Sequence, residues 1–246
     1  MNIIITGASS GIGQATLRRL GKTHTIGAVA RRGERLETLA DEYPRIIPLV
    51  ADVSDREQVE HIVRQFEQKA GPVDVLVNNA GLALGADPAF DADPDDWFRM
   101  IDVNCKGLVQ MTHPVLSSMV RRHQGLIVNI GSVAASYPYR GGNVYGATKA
   151  FIRQFSRNLR SDIHGTGVRV CVIEPGSVSG SEFSLVRFHG DQDKADSVYD
   201  GWDPLQADDI AAQIEWVISL PQRVNVNLIE TMATGQSASG FQFARE

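Results

Sequence analysis

The sequence predicts an α/β fold in which a doubly wound parallel sheet is covered by helices on both faces. Short apolar, β-rich runs alternate with longer stretches of helical period, and the first run leads directly into a glycine-rich turn. Near-continuous Val and Ile runs are typical of strands buried on both faces, and right-handed crossovers wind the chain to either side of such a sheet. The expected strands are Asn2–Thr6, His24–Ala30, Arg45–Ala51, Val73–Asn78, Leu126–Ser132, Arg169–Glu174 and a last one near Val224–Met232.

Helical patterns fill the intervals between these runs. Apolar residues recur there three or four positions apart, which is the spacing of one face of a helix. The expected helices are Gly11–Gly21, Glu34–Tyr43, Asp55–Ala70, Asp95–Arg122, Asn143–His164 and Asp208–Leu220. One segment, 176–204, has no clean period and follows the sixth strand, at the carboxyl edge where such sheets bind ligands. A lid over the site is therefore favoured there over a merely mobile loop.

The composition is that of one ordinary globular domain spanning residues 1–246. Apolar residues make up 43% of the chain and charged residues 22%, and the net charge is -5 with dispersed Lys and Arg. This pattern argues against a basic nucleic-acid face and against a polybasic membrane patch. No apolar run approaches the roughly 18 residues that a membrane span needs.

The cysteine and histidine content bears on the compartment. Cys105 and Cys171 lie in segments expected to be buried, and so low a number argues for a reducing compartment and against a disulfide framework. The histidines show no ligand-like spacing, so no metal site is expected. The run Asn2–Ile5 already has the pattern of a strand and leaves no room for a signal peptide. We expect a cytoplasmic protein.

A glycine-rich turn lies between the first strand and the first helix. Glycines let a backbone turn tightly and approach a pyrophosphate, which then sits at the positive end of the helix. Such a turn could also be a purely structural joint, but its place after the first strand of an α/β chain favours dinucleotide binding. The residues expected to touch the cofactor here are Gly7, Ser9, Ser10, Gly11, Ile12 and Gly13.

The end of the second strand indicates which dinucleotide. An NAD site usually has an acidic residue there for the ribose hydroxyls, whereas this strand ends in Arg31 and Arg32. A guanidinium matches a phosphate bidentately, so the pair favours NADP(H), with Ser9 as a further donor. One of the two arginines could be a solvated charge that opens the next helix.

Two further strand ends are expected to contact the adenosine. Asp52, followed by Val53, is placed either to accept hydrogen bonds from the adenine edge or to cap the next helix. The fourth strand closes with Asn78 and the run Asn79, Ala80 and Gly81. Its small and polar residues can hold the sheet together while leaving room for the ribose.

Tyr145 and Lys149 are the strongest catalytic candidates. Their i, i+4 spacing places both on one face of a helix, where an ammonium beside a phenol favours the phenolate and lowers the Tyr pKa. A tyrosine tuned in this way can exchange a proton with an alcohol or carbonyl oxygen. The motif alone is weak, because it also occurs by chance on solvated helices.

Taken together, these motifs resemble the short-chain dehydrogenase/reductases over nearly the whole chain. The matching residues are Thr6–Gly13, Asn78–Gly81, Asn104, Ser132, Tyr145, Lys149 and Pro175-Gly176. The resemblance implies a single Rossmann domain with a seven-stranded parallel sheet, usually a tetramer or dimer.

The resemblance also implies roles for the catalytic residues. Tyr145 would be the general acid in carbonyl reduction and the base in alcohol oxidation, and Ser132 would hydrogen-bond the substrate oxygen. Lys149 would lower the Tyr145 pKa and hold the nicotinamide ribose, while Asn104 would anchor a water that links Lys149 to solvent. Taken singly, Ser132 could be a strand-end hydroxyl and Asn104 a buried amide paired with backbone.

A closer resemblance, to the NADP-dependent 3-hydroxy acid dehydrogenases, lies in the runs 79–85, 141–151 and 182–188. It implies oxidation of serine, L-allo-threonine and related acids and reduction of malonic semialdehyde. Pro175, Gly176 and Val178 would border the nicotinamide. The family commonly has a threonine after Pro-Gly for the nicotinamide carboxamide; here Ser181 keeps the hydroxyl.

A small hydroxy acid needs a cationic partner for its carboxylate. Arg187, in the irregular segment, is the best candidate and Arg140 the second, although either could be a surface or subunit-contact arginine. The alternative functions are a reductase of other carbonyls, such as 3-oxoacyl thioesters or diketones, and a non-catalytic NADP(H)-sensing protein. The intact Tyr145–Lys149 pair argues against the sensor.

Overall fold

A seven-stranded, entirely parallel sheet forms the centre of the computed structural model, which describes residues 1–238. The strands are β1 (Asn2–Thr6), β2 (Thr25–Ala30), β3 (Ile46–Val50), β4 (Val75–Asn78), β5 (Gly125–Ile130), β6 (Val168–Pro175), β7 (Val178–Ser179), β8 (Leu205–Gln206) and β9 (Leu228–Thr231). The strand order of the sheet is β3-β2-β1-β4-β5-β6-β9, and a two-stranded parallel pair, β7 and β8, lies apart from it. The predicted doubly wound fold is confirmed. The strand order reverses between β1 and β4, which is where open α/β sheets bind ligands.

Helices cover both faces of the sheet. They are α1 (Gly11–Leu20), α2 (Gly33–Glu42), α3 (Arg56–Ala70), α4 (Pro94–Ile101), α5 (Leu108–Arg121), α6 (Asn143–Asp162), α7 (Phe183–Arg187), α8 (Gln192–Ser197) and α9 (Ala207–Ser219). Helices α1, α2 and α9 contribute Leu17, Leu36 and Ile214 to the core on one face. Helices α3 and α5 contribute Ile62 and Met111 to the core on the other. The sheet is therefore buried on both sides, as its apolar runs predict.

The helix expected at Asp95–Arg122 differs from the prediction. The chain forms α4, then a π-helical turn over Asp102–Gly107, and then α5. A π-helical turn holds an extra residue within a helical path and is frequent at functional sites. It leaves the apolar period of the flanking helices almost intact, so the pattern of the sequence gives no sign of it.

The segment 176–204 is more ordered than its sequence indicates. It contains α7 and α8, and Val178 at its start pairs with Leu205 between β7 and β8. Each of these elements is six residues or shorter, too short to display a hydrophobic period. The seventh strand of the main sheet, expected near Val224–Met232, is the edge strand β9.

A hydrogen-bonded network of buried polar side chains lies in the middle of the sheet. Asn78 and Asn129 are direct register partners on β4 and β5. Asn78 Nδ2 donates to Asn129 Oδ1 at 2.9 Å and to Thr112 Oγ1 at 3.0 Å, and Asn129 Nδ2 donates to Ser156 Oγ at 2.8 Å. These bonds tie two central strands to the helices α5 and α6 on one face.

The sequence also predicts buried cysteines, no membrane span and no metal site. Cys171 is buried as predicted, whereas Cys105, in the π-helical turn, is only partly buried. Within residues 1–238 no helix is long and apolar enough to cross a membrane, and no three His, Cys, Asp or Glu side chains gather as metal ligands.

Candidate active site

A cavity of about 580 Å³ opens at the carboxyl edge of the sheet. Every residue predicted for the site lines it except Gly13 and Asn104. Those two lie immediately behind its wall, Gly13 against Gly7 and Asn104 against Gly81. Residues from the start, middle and end of the chain thus meet in one place.

The glycine-rich turn closes one end of the cavity because it has no side chains in the way. A Cβ atom on Gly13 would lie 2.3 Å from the Gly7 carbonyl oxygen and 2.6 Å from Asn79 Nδ2, so the close packing of α1 onto β1 and β4 requires glycine. Gly11 has a φ of 51°, and a Cβ there would lie 2.8 Å from the Cβ of Ser181. This cradle at the start of α1 fits the pyrophosphate of a dinucleotide.

The Ser10 side chain makes no capping hydrogen bond to the first turn of α1. The first N–H groups of a helix lack partners within it. At this turn they can therefore bind an anion.

Arg32 is held beside the glycine-rich turn. Its Nη2 donates to Ser9 Oγ at 3.2 Å and approaches Ser10 Oγ at 3.5 Å. A guanidinium and a hydroxyl side by side make a phosphate-binding pair. Both arginines line the cavity and are exposed, but Arg32 is the one that contacts the turn, which fits the alternative that one of the two is largely solvated.

Glu182, in the segment 176–204, occupies the other side of these guanidinium groups. One of its oxygens lies 2.7 Å from Arg32 Nη2, and both oxygens accept from Arg35, at 3.0 and 3.1 Å. The hydrogen bonds from Arg32 and Arg35 lower the pKa of Glu182 to about 2. The segment is therefore tied by charge to the predicted 2′-phosphate site, a contact that the sequence does not reveal.

Asp52 does not cap α3. The capping residue is Asp55, whose carboxylate accepts from the N–H groups of Glu57 and Gln58. Asp52 instead accepts hydrogen bonds from Ser54 and from Arg99 Nη2, the latter at 2.9 Å. Burial raises the pKa of the Asp52 carboxyl, but these hydrogen bonds outweigh it and lower the pKa to about 2.

The end of β4 is fastened to the glycine-rich turn. Thr6 Oγ1 accepts from the N–H groups of Asn79 and Ala80 at 3.0 and 2.9 Å, and Asn79 Nδ2 donates to the Thr6 carbonyl at 2.9 Å. Gly81 follows, exposed on the cavity wall, and buried Val53 lines the same cavity. Two neighbouring strand ends are thereby held at a fixed separation, with small residues between them.

Tyr145, Ser132 and Lys149 meet at the centre of the cavity. The Ser132 hydroxyl lies near the Tyr145 phenol, and Ser132 Oγ accepts from the N–H of Ala134 at 3.1 Å. Lys149 is 5% exposed, and its Nζ lies 5.6 Å from the centre of the Tyr145 ring and donates to the Ile130 carbonyl at 3.0 Å. Two hydroxyls and an ammonium group thus lie in the same part of the cavity.

The predicted lowering of the Tyr145 pKa is wrong for this arrangement. Burial raises the pKa of Tyr145 well above 10, and the hydrogen bond from Ser132 and the charge of Arg187 only partly oppose it. Burial also lowers the pKa of Lys149 from 10.5 to about 8. The ammonium group is directed at a backbone carbonyl rather than at the phenol oxygen, so its effect on the phenol is small.

Asn104 lies in the π-helical turn, behind Gly81. Its Oδ1 accepts from the Leu82 N–H at 2.9 Å, while its Nδ2 donates to the Leu82 carbonyl at 2.8 Å and to Thr148 Oγ1 at 3.0 Å. A Cβ on Gly81 would lie 3.2 Å from Asn104 Oδ1 and 3.5 Å from Lys149 Nζ. The two side chains therefore flank the same glycine, and Asn104 pairs with backbone as the simpler interpretation expects.

The loop after β6 is anchored by a residue that the sequence did not single out. Gln236 Oε1 accepts from the Ser177 N–H at 2.9 Å, and the Gly176 N–H donates to Thr231 at 2.7 Å. A Cβ on Gly176 would lie 2.2 Å from Gln236 Oε1. Some 60 positions separate Gln236 from this loop, so no local signal could have identified it.

Pro175, Gly176, Val178 and Ser181 all line the cavity beyond this anchor. They form the wall that the resemblance assigns to the nicotinamide.

Arg187 borders the same end of the cavity as Tyr145. Its Nε donates to the Gly85 carbonyl at 3.1 Å, and its guanidinium lies 5.3 Å from the centre of the Tyr139 ring. The Phe183 ring packs edge-on against Tyr145, with 5.9 Å between ring centres. Arg140 also lines the cavity but is exposed. Arg187 is therefore the better placed of the two cations.

Known proteins are similar to this one in sequence and in fold. The family described as short chain dehydrogenase matches residues 1–187. An NADP-dependent 3-hydroxy acid dehydrogenase of Salmonella typhi is 49% identical over 247 residues and covers 100% of both chains. A serine 3-dehydrogenase of Agrobacterium fabrum is 49% identical over 247 residues, covering 99% of this chain and 98% of the relative. Among solved structures, the closed form of a serine dehydrogenase complexed with NADP+ has a TM-score of 0.96 at 48% identity and covers 100% of both chains. The chain belongs to the short-chain dehydrogenase family.

Proposed function

We propose that the protein is an NADP-dependent oxidoreductase that transfers a hydride between the nicotinamide and a short 3-hydroxy acid, such as serine, L-allo-threonine or 3-hydroxypropionate. One observation carries the proposal. The hydroxyls of Ser132 and Tyr145 share a cavity with Arg187, whose charge acts on the Tyr145 phenol. A hydroxyl pair next to a cation matches a substrate whose alcohol and carboxylate are close together. Two relatives named for 3-hydroxy acids and for serine support the same substrate class.

The cofactor would lie across the carboxyl edge of the sheet. We propose that the turn Gly7–Gly13 holds the pyrophosphate and that Arg32 and Ser9 hold the 2′-phosphate, since these groups are already side by side. Asp52 would meet the adenine, and Asn79–Gly81 the ribose. When bound, the nicotinamide supplies or accepts the hydride, and the protein contributes orientation and charge.

Tyr145 would move the proton. Ser132 lines the same cavity and would share the substrate oxygen with it, stabilising the charge that develops there. We propose that Lys149 holds the nicotinamide ribose with its ammonium group, which lies in the cavity beside the Tyr145 ring. Asn104, on the other side of Gly81, would hold a water beside Lys149.

A substrate screen tests the proposal. The wild-type enzyme is assayed with serine, L-allo-threonine and 3-hydroxypropionate, each with NADP and with NAD, and in reverse with a 3-oxoacyl thioester and a diketone. We expect the highest kcat/KM with a hydroxy acid and NADP. Faster turnover of the thioester or diketone would assign the protein to the carbonyl reductases, and cofactor binding without any turnover would assign it a sensing role.

We further propose that residues 1–246 form one catalytic unit that works in the cytoplasm as a homo-oligomer, a tetramer in preference to a dimer. Large apolar side chains remain exposed on α4, α5 and α6: Phe98, Ile101, Val109 and Phe151. Exposed apolar patches of this kind mark protein interfaces. Sedimentation analysis of the wild type and of Phe151→Ser tests this, and a monomeric wild type would contradict it.

A further inference from the structure

Glu174 carries a fully buried carboxylate one residue before Pro175, at the end of β6. Its exposed fraction is 0%, and its partner is Arg153 of α6, whose side chain is 15% exposed. Arg153 Nε donates to Glu174 Oε1 at 2.6 Å, and Arg153 Nη2 donates to Oε2. A buried carboxylate needs such a bidentate partner, because desolvation otherwise disfavours its charge.

The same guanidinium reaches two further elements. Arg153 Nη1 donates to Ser136 Oγ, next to the 3₁₀ turn Val133–Ala135. Arg153 Nη2 lies 3.8 Å from Glu230 of β9, which in turn accepts from the Tyr137 hydroxyl at 3.0 Å. One side chain thus links α6, β6, β9 and the turn that follows Ser132.

This linkage adjoins the proposed catalytic groups. Arg153 lies four residues after Lys149, which lies four after Tyr145, so the three share one face of α6. A Cβ on Gly131 would lie 2.8 Å from Glu174 Cγ and 3.3 Å from its Oε1. Glu174 therefore packs against the residue between Ser132 and Ile130, whose carbonyl accepts from Lys149.

We propose that Arg153 and Glu174 are positioning residues: they hold the Ser132 turn against the helix of Tyr145 and Lys149, and they set the charge around Lys149. The inference rests on the proposed function of that site. A static salt bridge elsewhere in the fold would stabilise the protein without affecting the titration of Lys149.

The charged and titratable groups around Lys149 predict opposite effects for the two partners. Cys105 faces it from the π-helical turn, Tyr145 and Arg153 from its own helix, and Glu174 from β6. Glu174 raises the pKa of Lys149 against the lowering by burial. Glu174→Gln removes this anion and leaves the Arg153 cation, so the Lys149 pKa falls. Arg153→Met leaves Lys149 as the cation that stabilises the buried Glu174 carboxylate, so the Lys149 pKa rises.

The experiment follows Lys149 itself. The rate of its acetylation by a small anhydride is measured against pH by mass spectrometry, alongside the pH profile of kcat/KM. We expect Glu174→Gln to lower the pKa of Lys149 by about one unit and Arg153→Met to raise it by a similar amount, which is the size of shift that one nearby charge typically causes. The double variant Arg153→Met/Glu174→Gln should titrate near wild type but with lower kcat, because the Ser132 turn is no longer held.

Arg122 and Asp74 supply the matched control. They form a half-buried pair 3.4 Å apart, at the amino end of β4 and remote from the cavity. Asp74→Asn and Arg122→Met should leave the pKa of Lys149 unchanged.

Two outcomes would overturn the inference. One is a shift of the Lys149 pKa in the same direction for Glu174→Gln and Arg153→Met, and the other is a loss of thermal stability without any shift of that pKa. The double variant buries no unpaired charge. If a single variant does not fold, the kcat of the double variant still tests whether the pair positions the Ser132 turn. Acetylation needs no substrate, so it measures the effect of Arg153 and Glu174 on the Lys149 pKa even if the protein does not act on hydroxy acids.

Discussion

The carboxylate of Glu182 lies 2.7 Å from Nη2 of Arg32, across some 150 positions of sequence. This ion pair joins the segment 176–204 to the predicted 2′-phosphate site. A phosphate bound there would compete with Glu182 for the same guanidinium. The contact therefore makes cofactor preference depend on a residue outside the cofactor-binding motif.

Arg32→Ala should weaken NADP binding far more than NAD binding. A charge-assisted hydrogen bond contributes about 1.5–3 kcal/mol, so the KM for NADP should rise roughly 30-fold. Arg31→Ala is the matched control, because Arg31 lines the same cavity but lacks the contact of Arg32 with Ser9, and it should have a smaller effect. Dissociation constants for 2′,5′-ADP and 5′-AMP separate the phosphate contact from turnover; equal weakening of both nucleotides would contradict it.

Glu182→Gln should act in the opposite direction. The variant removes the competing anion, so the KM for NADP should fall, by about threefold given the exposure of the pair, while NAD is unaffected. The measurement is the ratio of kcat/KM for the two cofactors. A weaker NADP interaction in this variant would show that Glu182 supports phosphate binding instead.

Tyr145→Phe should abolish turnover without loss of cofactor binding. The phenyl ring retains its edge contact with Phe183, but the proton donor is gone, so kcat should fall about 10²–10⁴-fold. NADPH fluorescence titration should give an unchanged dissociation constant. A variant that turns over at the wild-type rate would remove Tyr145 from the mechanism.

Arg187→Ala should weaken the binding of hydroxy acids and spare simple ketones. Leaving a buried carboxylate without its partner costs about 2–5 kcal/mol, so the Michaelis constant for hydroxy acids should increase by roughly 30-fold or more. Arg140→Ala is the control, because this arginine lines the same cavity but is exposed. Equal losses on charged and neutral substrates would indicate that Arg187 only orders Tyr139 and Gly85, both of which it contacts.

Lys149→Met should inactivate the enzyme and stabilise it at neutral pH. Burial lowers the pKa of Lys149 from 10.5 to about 8, which corresponds to about 3 kcal/mol of unfavourable charge burial below pH 8. Between pH 8 and 10.5 the native state releases this proton before the unfolded state does, so wild-type stability rises with pH. The variant lacks this cost, and after loss of the bond to Ile130 its gain should be about 2 kcal/mol at pH 7.

That gain should shrink toward pH 10. Urea unfolding of both proteins at pH 7 and at pH 9.5 measures the change. A gain that is independent of pH would mean that the pKa of Lys149 is not lowered in the native protein.

The sequence predicts the sheet and the cavity wall well because their signals are local. The glycine-rich turn, the arginines after β2 and the i, i+4 pair Tyr145–Lys149 each lie within a few residues, and the fold brings them together at one edge. Strand bounds differ from the prediction by a few residues, mostly where strand and turn meet.

The remaining features depend on tertiary contacts. Gln236 reaches the Gly176 loop, and Glu182 reaches Arg32, only after the chain has folded. The Tyr145 pKa could not be predicted from spacing, since it depends on burial and on where the Lys149 ammonium points. The π-helical turn around Asn104 leaves no periodic trace in the flanking helices.

The amide pair Asn78–Asn129 in the middle of the sheet also constrains assembly. If β4 and β5 were offset by one residue in either direction, Asn78 would face Val128 or Ile130 in place of Asn129, at a cost of about 1–3 kcal/mol for an unpaired group. The same offset would carry Ser132, which follows β5, about 3.3 Å along the strand direction relative to Asn79. A folding chain that misaligns these strands is thus penalised before its active site can form. The pair therefore favours the strand register that the active site needs. We expect apolar replacements to give a stable protein in which fewer molecules fold with this register.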